Sequence, residues 1–202
     1  MRRANLRGMR RLALVVSLVS AALSPACSLG FDRHAVTAAW VPALSVEADL
    51  DEFELRGGRE FDAELDTGDG LWLAARLEDV DEEGTTFAVE PFYATTSHSD
   101  AFTGAGVDTH LLGAIASIGV RSGGENFAIS PRIGIGAGAA VFDFDSLVQD
   151  SGGALGIVRA TFGIEVARVA VGEIALGAFL WGWPTETVGY GGFLSLGGGV
   201  QF

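Results

Sequence analysis

Lysine is absent from the sequence, and arginine is scarce outside its first residues. Five of the 13 basic residues lie at positions 2–11, so the chain beyond residue 26 keeps eight arginines, whereas all 26 acidic residues fall there. Eight positive against 26 negative charges give a net charge of −18, which excludes nucleic-acid binding because phosphates require a basic patch. It also excludes an amphipathic helix that docks on anionic lipid.

Cysteine, proline and long apolar segments are also scarce. Cys27 is the single cysteine, which excludes an internal disulfide. No segment after residue 26 reaches the roughly 18 unbroken apolar residues of a membrane-spanning helix. Glycine is abundant, with 29 residues against 5 prolines, and the sequence is hydrophobic overall despite its charge. Because disorder requires low hydrophobicity, the composition predicts one folded, β-rich domain.

The first 26 residues have the pattern of a secretory signal peptide, in which an apolar segment at 12–23 follows an arginine-rich start. Cys27 comes directly afterwards, in the segment LSPACSLG. This segment resembles the lipobox of bacterial lipoproteins, although Ser24 stands where that motif prefers leucine. Two interpretations stay open: Cys27 is a lipidated mature N-terminus, or cleavage occurs nearby and Cys27 is an ordinary thiol.

Residues 27–44 show no clean period, and we predict that they form a periplasmic lead-in. From Ser45 to Phe202, segments of alternating apolar and polar residues are separated by turn residues, a pattern typical of the strands of transmembrane barrels. The predicted strands are 45–56 (with a bulge near Asp51), 70–79, 85–95, 109–121, 126–142, 154–167, 170–181 and 188–202. The sequence therefore predicts an all-β fold, an eight-stranded antiparallel transmembrane up-and-down β-barrel over residues 45–202.

The connections between these strands favour the same fold. Those at 57–69, 96–108 and 143–153 are long and that at 182–186 is moderate, whereas 80–84, 122–125 and 168–169 are short. Outer-membrane barrels have long external loops and short periplasmic turns. An even number of strands places both termini on one side, which the signal peptide identifies as the periplasm. A soluble all-β domain gives no reason for this alternation and remains the alternative.

Charged residues within the predicted strands lie mostly opposite the apolar face. An arginine facing lipid at mid-membrane costs about 2–4 kcal/mol, whereas charges in a narrow eight-stranded lumen can pair with each other. We therefore predict a lumen filled by an ion-pair network rather than an open pore. Interior glycines of strands 126–142 and 188–202 are expected to make room for the arginine side chains. The predicted members of the network are Arg76, Glu90, Arg132, Arg159, Glu165 and Glu173.

The last strand, TVGYGGFLSLGGGVQF, has one apolar face that ends in Phe202 and one face of small residues. Its end, GGGVQF, and the segment PRIGIGAGAAVF resemble the small eight-stranded outer-membrane β-barrel proteins of bacteria. The resemblance implies a location in the outer membrane, contact with its lipid, and an assembly signal at Val200 and Phe202 for the barrel-assembly machinery. It implies an architecture and no particular activity, and a monomer is the default oligomeric state.

The best catalytic candidates are His98, Ser99 and Asp100 in the segment TTSHSD, with Asp108 and His110 nearby. Nucleophilic catalysis needs a hydroxyl beside an imidazole that a carboxylate orients. Some outer-membrane barrels are lipid A deacylases with a histidine and a serine near a strand end, so a lipid-modifying enzyme is one alternative function. Their motif has a different spacing and lies in a late strand, and we predict no enzyme activity.

No cofactor or metal site is predicted. The acidic clusters in the predicted long connections have no EF-hand spacing, and the glycine runs lack the lysine and the helix of a phosphate loop. Trp181 and Trp183 suit an external aromatic girdle. The sequence thus predicts a structural or surface-interaction role through acidic external loops. A narrow channel and a lipid-anchored soluble β-domain stay open as further alternatives.

Overall fold

The computed structural model describes residues 30–49, 64–99, 106–144, 151–182 and 188–202. The predicted signal peptide, the lipidation candidate Cys27 and the connections 50–63, 100–105, 145–150 and 183–187 lie outside these ranges. In the part of the chain that the structure describes, no helix is long and apolar enough to cross a membrane.

Eight long antiparallel strands form one closed sheet. They are β1 Arg33–Asp49, β2 Glu64–Val80, β3 Thr85–Ser99, β4 Gly106–Val120, β5 Phe127–Phe144, β6 Ser151–Val166, β7 Ala170–Gly182 and β8 Val188–Gln201. Each strand pairs with its sequence neighbours, and β1 pairs with β8, which closes the sheet into a barrel. The two-residue strand Ser122–Gly123 only extends the β4–β5 turn. The predicted all-β, eight-stranded antiparallel barrel is confirmed.

The barrel has two different ends. The turn end carries the described termini and the short turns 81–84, 121–126 and 167–169. The opposite, loop end carries the four connections outside the described residues. The loops predicted at 96–108 and 143–153 are shorter than expected, because strand pairing continues to Ser99 opposite Gly106 and to Phe142 opposite Ser151.

The first strand departs furthest from its prediction. β1 begins at Arg33, so the periplasmic lead-in predicted at 27–44 is wrong from Arg33 onward, and the barrel begins before Ser45. Small residues on both faces conceal the alternation of this strand in the sequence. Its pairing is irregular around Pro42, because proline has no N–H to donate to the ladder. The bulge predicted near Asp51 lies outside the described residues.

Side chains alternate between the lumen and the exterior along each strand. On β5, Ile133 and Ile135 point outward and are 64% and 69% exposed, whereas Arg132 on the same strand points inward and is buried. The faces predicted for strands 70–79, 85–95, 126–142, 154–167 and 170–181 agree with this division. Pro91 points outward, and its position interrupts the β2–β3 pairing between Ala74 and Leu77.

Candidate functional site

The lumen divides into a charged half next to the turn end and an apolar half next to the loop end. On β2, for example, Glu78 and Arg76 lie nearer the turn end than Trp72 does. The buried apolar cluster of the second half includes Val41, Leu44, Trp72, Phe92, Leu111, Ile115, Leu155, Ile157, Phe179, Trp181 and Phe193. The sequence predicted an ion-paired polar core, and the apolar half is therefore a correction.

Glu173 lies at the centre of the charged half. One of its carboxylate oxygens accepts hydrogen bonds from Arg76 Nη1 and from Arg132 Nη2, the latter at 2.6 Å. Its other oxygen is 3.8 Å from Arg159 Nη2. All four side chains are almost completely buried. Three guanidinium groups from three different strands thus converge on one carboxylate.

Two further glutamates balance these arginines. Arg159 Nη1 lies 3.5 Å from Glu90 Oε2, and Arg132 Nη1 lies 3.6 Å from Glu78 Oε1. The structure therefore brings together five of the predicted network residues, Arg76, Glu90, Arg132, Arg159 and Glu173. Glu78 also belongs to this network, although it was not among the predicted members. It lies two residues after Arg76 on β2, so the alternation of the strand places both side chains on the luminal face.

Glu165, the sixth predicted residue, lies apart from these five at the mouth of the turn end. It accepts hydrogen bonds from Arg33 Nη2 at 2.6 Å and from Arg121 Nε at 3.0 Å. Arg33 Nη1 is also 3.7 Å from Glu78 Oε2, which links the mouth to the inner network. Sequence reasoning missed Arg33 because it lay in the predicted lead-in, and Arg121 because it was the last residue of the predicted strand 109–121.

An aromatic layer separates the two halves of the lumen. Trp72 stacks on Phe92, with ring centroids 4.4 Å apart, and on Phe193, at 5.1 Å. The guanidinium carbon of Arg159 lies 5.1 Å from the Trp72 ring centroid, which is a cation–π contact. Trp72 therefore has apolar rings on one side and the charged network on the other.

Two luminal glycines of β8, Gly189 and Gly191, face aromatic rings, whereas Gly197 and Gly199 closely approach β1. A β-carbon at Gly189 would lie 2.1 Å from Nε1 of Trp181, and one at Gly191 would lie 2.5 Å from the Phe179 ring. The prediction that the glycines of this strand make room for arginine is therefore wrong at Gly189 and Gly191. Trp181 is itself buried inside the barrel, so its predicted place in an external girdle is also wrong, while Trp183 lies outside the described residues.

The described catalytic candidates lie on both faces of the barrel wall. His98 points into the lumen, is buried, and its Nε2 lies 2.8 Å from Thr96 Oγ1. Ser97 lies on the opposite face of β3, where its hydroxyl donates to Asp108 Oδ1 at 2.8 Å. Asp100 lies outside the described residues, as does the side chain of Ser99. The imidazole of His98 and the Ser97–Asp108 pair are thus on two sides of the barrel wall.

A polar rim crosses the exterior of β2–β5 near the loop end. Pairing places Asp69 beside Ser97, Ser97 beside Asp108, and Asp108 beside Asp143. One step toward the turn end, the Tyr93 hydroxyl lies 3.0 Å from His110 Nδ1. No group of metal-binding side chains occurs among the described strands and turns. The rim marks where the exterior changes from apolar to polar.

Comparison with known proteins bears on the fold. No protein-family model and no curated protein matches the sequence. The structure is similar to that of Ail, the attachment invasion locus protein of Yersinia pestis, in complex with a heparin analogue, with a TM-score of 0.50, 14% identity, and coverage of 84% of this chain and 98% of that one.

Neisserial surface protein A also matches, with a TM-score of 0.50, 13% identity, and coverage of 84% and 97%. The outer membrane enzyme PagL matches with a TM-score of 0.44, 13% identity, and coverage of 80% and 97%. At these identities the similarity to Ail and to Neisserial surface protein A establishes the fold alone. The chain is therefore an eight-stranded antiparallel barrel with the fold of the small bacterial outer-membrane β-barrel proteins.

Proposed function

We propose that the chain is a structural or surface-interaction protein that spans the bacterial outer membrane and acts through acidic segments at its loop end. The distribution of charge and apolar surface carries this proposal. Large apolar side chains such as Ile135, Leu176 and Ile133 are more than 60% exposed, while Arg76 and Glu173 are buried inside. A water-soluble barrel would place these groups the other way round.

The height of the apolar exterior fits a lipid bilayer. Tyr190 and Phe202 both point outward from β8 and are 55% and 65% exposed. The strand between them is about 40 Å long at ~3.3 Å per residue, which gives about 30 Å along the barrel axis at a tilt of ~40°. This height matches an apolar band of about 25 Å with an aromatic residue at each interface. Phe87 and Phe127 lie at the same turn-end interface as Phe202.

The loop end is the place where such a barrel meets partners. The connection at 50–63 contains five acidic residues, Asp51, Glu52, Glu54, Glu60 and Asp62, and Asp69, Asp108 and Asp143 border the loop end from the strands. Export by the segment 1–26, and insertion by the barrel-assembly machinery through Val200 and Phe202, would place these acids on the cell exterior. Negative charge there favours cationic partners. A monomer surrounded by outer-membrane lipid is sufficient for this role.

Binding of a fluorescent oligolysine to proteoliposomes tests this role. Changing the five acids at 51–62 to their amides is expected to reduce binding and its salt dependence, because fewer charges attract the probe. Amide variants of Asp81, Glu82 and Glu83 in the β2–β3 turn are the matched control, since they remove charge at the opposite end. Equal binding by the two sets of variants would contradict a role for the loop end.

Conductance in planar lipid bilayers tests the closed lumen. Wild-type protein is expected to insert without giving a steady ion current, because the aromatic layer and the buried apolar cluster close the interior. A steady current would favour the narrow channel over the role proposed above.

A further inference from the structure

The charged half of the lumen contains more polar atoms than its own side chains satisfy. Arg76 and Glu78 are both 1% exposed, yet Arg76 Nε and Nη2 and both carboxylate oxygens of Glu78 make no hydrogen bond with the described residues. The same holds for Nε of Arg132 and Arg159, and for the hydroxyls of Thr86 and Ser117. Donors and acceptors are interleaved here, which is the arrangement that buried water molecules bridge.

At the turn end, the outer members of the ion-pair network line an open cavity. A cavity of about 410 Å³ opens there, and its lining includes Arg33, Arg121 and Gln201. The Gln201 side chain is 8% exposed, and its Oε1 has no hydrogen-bond partner among the described residues. The side chains of Arg33 and Arg121 are 16% and 18% exposed, against 1% for Arg76, so the ion-pair network runs from the cavity inward.

The aromatic layer of Trp72, Phe92 and Phe193 ends this polar region. Beyond it, a cluster of buried apolar side chains fills the lumen, including Leu111, Leu155 and Phe179. The buried polar side chains Thr96, His98 and Thr109 lie nearer still to the loop end. A water molecule in an apolar space lacks the two to four polar partners that hold it there. The physical character of the lumen therefore changes at one level of the barrel.

We propose that the charged half of the lumen is a hydrated vestibule, which binds water and admits small ions from the turn end only and ends at the aromatic layer of Trp72, Phe92 and Phe193. This inference rests on the closed barrel of the proposed function. It deepens that proposal because it assigns the barrier to ion passage to the aromatic layer and to the apolar cluster behind this layer. The ion pairs, in contrast, line the wetted side.

Silver-ion accessibility of two buried positions tests the vestibule, because Ag⁺ binds thiols but does not enter dry apolar regions. The variants are Ser117→Cys, in the charged half, and Ala94→Cys, beside Trp72, each combined with Cys27→Ser. Their native side chains are 6% and 1% exposed, so a dry lumen would leave both thiols unreactive. Folded protein is incubated with silver nitrate in chloride-free buffer, and the remaining thiol is measured after unfolding.

The Ser117→Cys thiol is expected to react completely, while the Ala94→Cys thiol stays free until Trp72→Ala is added. Heat-modifiable gel mobility shows that each variant is folded, and Thr86→Cys replaces Ser117→Cys if that variant does not fold. Phe92→Ala likewise replaces Trp72→Ala. An unreactive thiol at position 117 or 86 in folded protein, or equal reaction in the charged half and at position 94, would overturn the proposal of a hydrated vestibule. A steady current through wild-type protein would instead overturn the closed lumen, so the two failures are distinguishable.

Discussion

At the scale of single residues, the lumen shows why this chain uses arginine and no lysine. Arg132 contacts Glu173, Glu78 and Ser130 through one planar group, and a lysine ammonium could not span three partners with fixed geometry. Of the six arginines among the described residues, five lie in this connected set: Arg33, Arg76, Arg121, Arg132 and Arg159. The alternation of residues along each strand predicts that the inner arginines point into the lumen. Which glutamate each of them pairs with depends on the shear of the barrel, that is, on how far neighbouring strands are shifted along each other.

Glu173→Gln is expected to lower the free energy of unfolding by about 3–5 kcal/mol, because it leaves buried guanidinium groups without their shared counter-charge. Glu125→Gln is the matched control. Glu125 pairs with Arg168 at 2.6 Å on the surface, with side chains that are 76% and 60% exposed, and such pairs contribute about 0–1 kcal/mol. Urea unfolding of the barrel in detergent, followed by tryptophan fluorescence, measures both. A Glu173→Gln loss no larger than that of the control would contradict the central position of Glu173.

Asp81 in the β2–β3 turn provides a pH-dependent residue outside the barrel wall. Its carboxylate accepts hydrogen bonds from the backbone N–H groups of Thr85 and Glu83, at 2.8 and 2.9 Å, and these hold the pKa of Asp81 below its usual range. A lowered pKa in the folded state stabilises the turn above the pKa of the unfolded chain. This stabilisation disappears as the pH falls through the folded-state pKa.

NMR titration of the Asp81 carboxyl carbon is expected to give a midpoint below the usual range for aspartate. In Asp81→Asn, the acid-dependent shift of the Thr85 amide proton should disappear. An Asp81 midpoint at or above the ordinary value for aspartate would contradict the proposed hydrogen bonding.

At the scale of strands, the sequence was most informative where the two faces differ strongly. β5 and β6 alternate branched or aromatic residues with glycine, arginine and threonine, and both were predicted with the correct faces. β1 was misplaced because alanine and threonine on its inner face resemble the residues of a linker. Alternation along β7 places Phe179 and Trp181 on the inward face, whereas their packing against Gly191 and Gly189 depends on the neighbouring strand and could not be read from the sequence.

Gly189→Ala on β8 is expected to destabilise the barrel by about 1–3 kcal/mol, because the added methyl group collides with the rigid Trp181 ring. Gly192→Ala is the control from the same strand. A β-carbon there would have its nearest neighbour at 3.6 Å, an ordinary contact, so no loss is expected. The urea midpoints of the two variants provide the comparison, and equal midpoints would mean that Trp181 does not pack on Gly189.

Phe202 closes the seam between the first and last strands. Its backbone N–H donates to His34 O at 2.9 Å, and its carbonyl accepts from the His34 N–H at 3.2 Å. Deleting Phe202 removes both bonds and the outward aromatic side chain, so we expect a lower yield of heat-modifiable barrel in membranes. Phe202→Tyr keeps the backbone bonds and the ring and should assemble normally. Normal assembly of the deletion variant would count against an assembly signal at this position.

At the scale of the whole molecule, the barrel has an apolar exterior and an interior that is charged at one end and apolar at the other. The exterior follows from the alternation of residues along the strands, and it was predictable. The division of the interior was not, because residues that are distant in sequence, such as Trp72, Phe92 and Phe193, reach one level only through the tilt of the strands. The central claim is that the exterior faces lipid.

A spin label on Ile135→Cys, in protein with Cys27→Ser reconstituted into liposomes, tests this claim most directly. Collision rates with oxygen, which concentrates in lipid, are compared with those of a water-soluble nickel complex, and a label on Glu82→Cys in the β2–β3 turn is the control. The label at position 135 is expected to collide often with oxygen and rarely with nickel, and the label at position 82 to do the reverse. Frequent nickel collisions at position 135 in folded, reconstituted protein would contradict a membrane-spanning barrel.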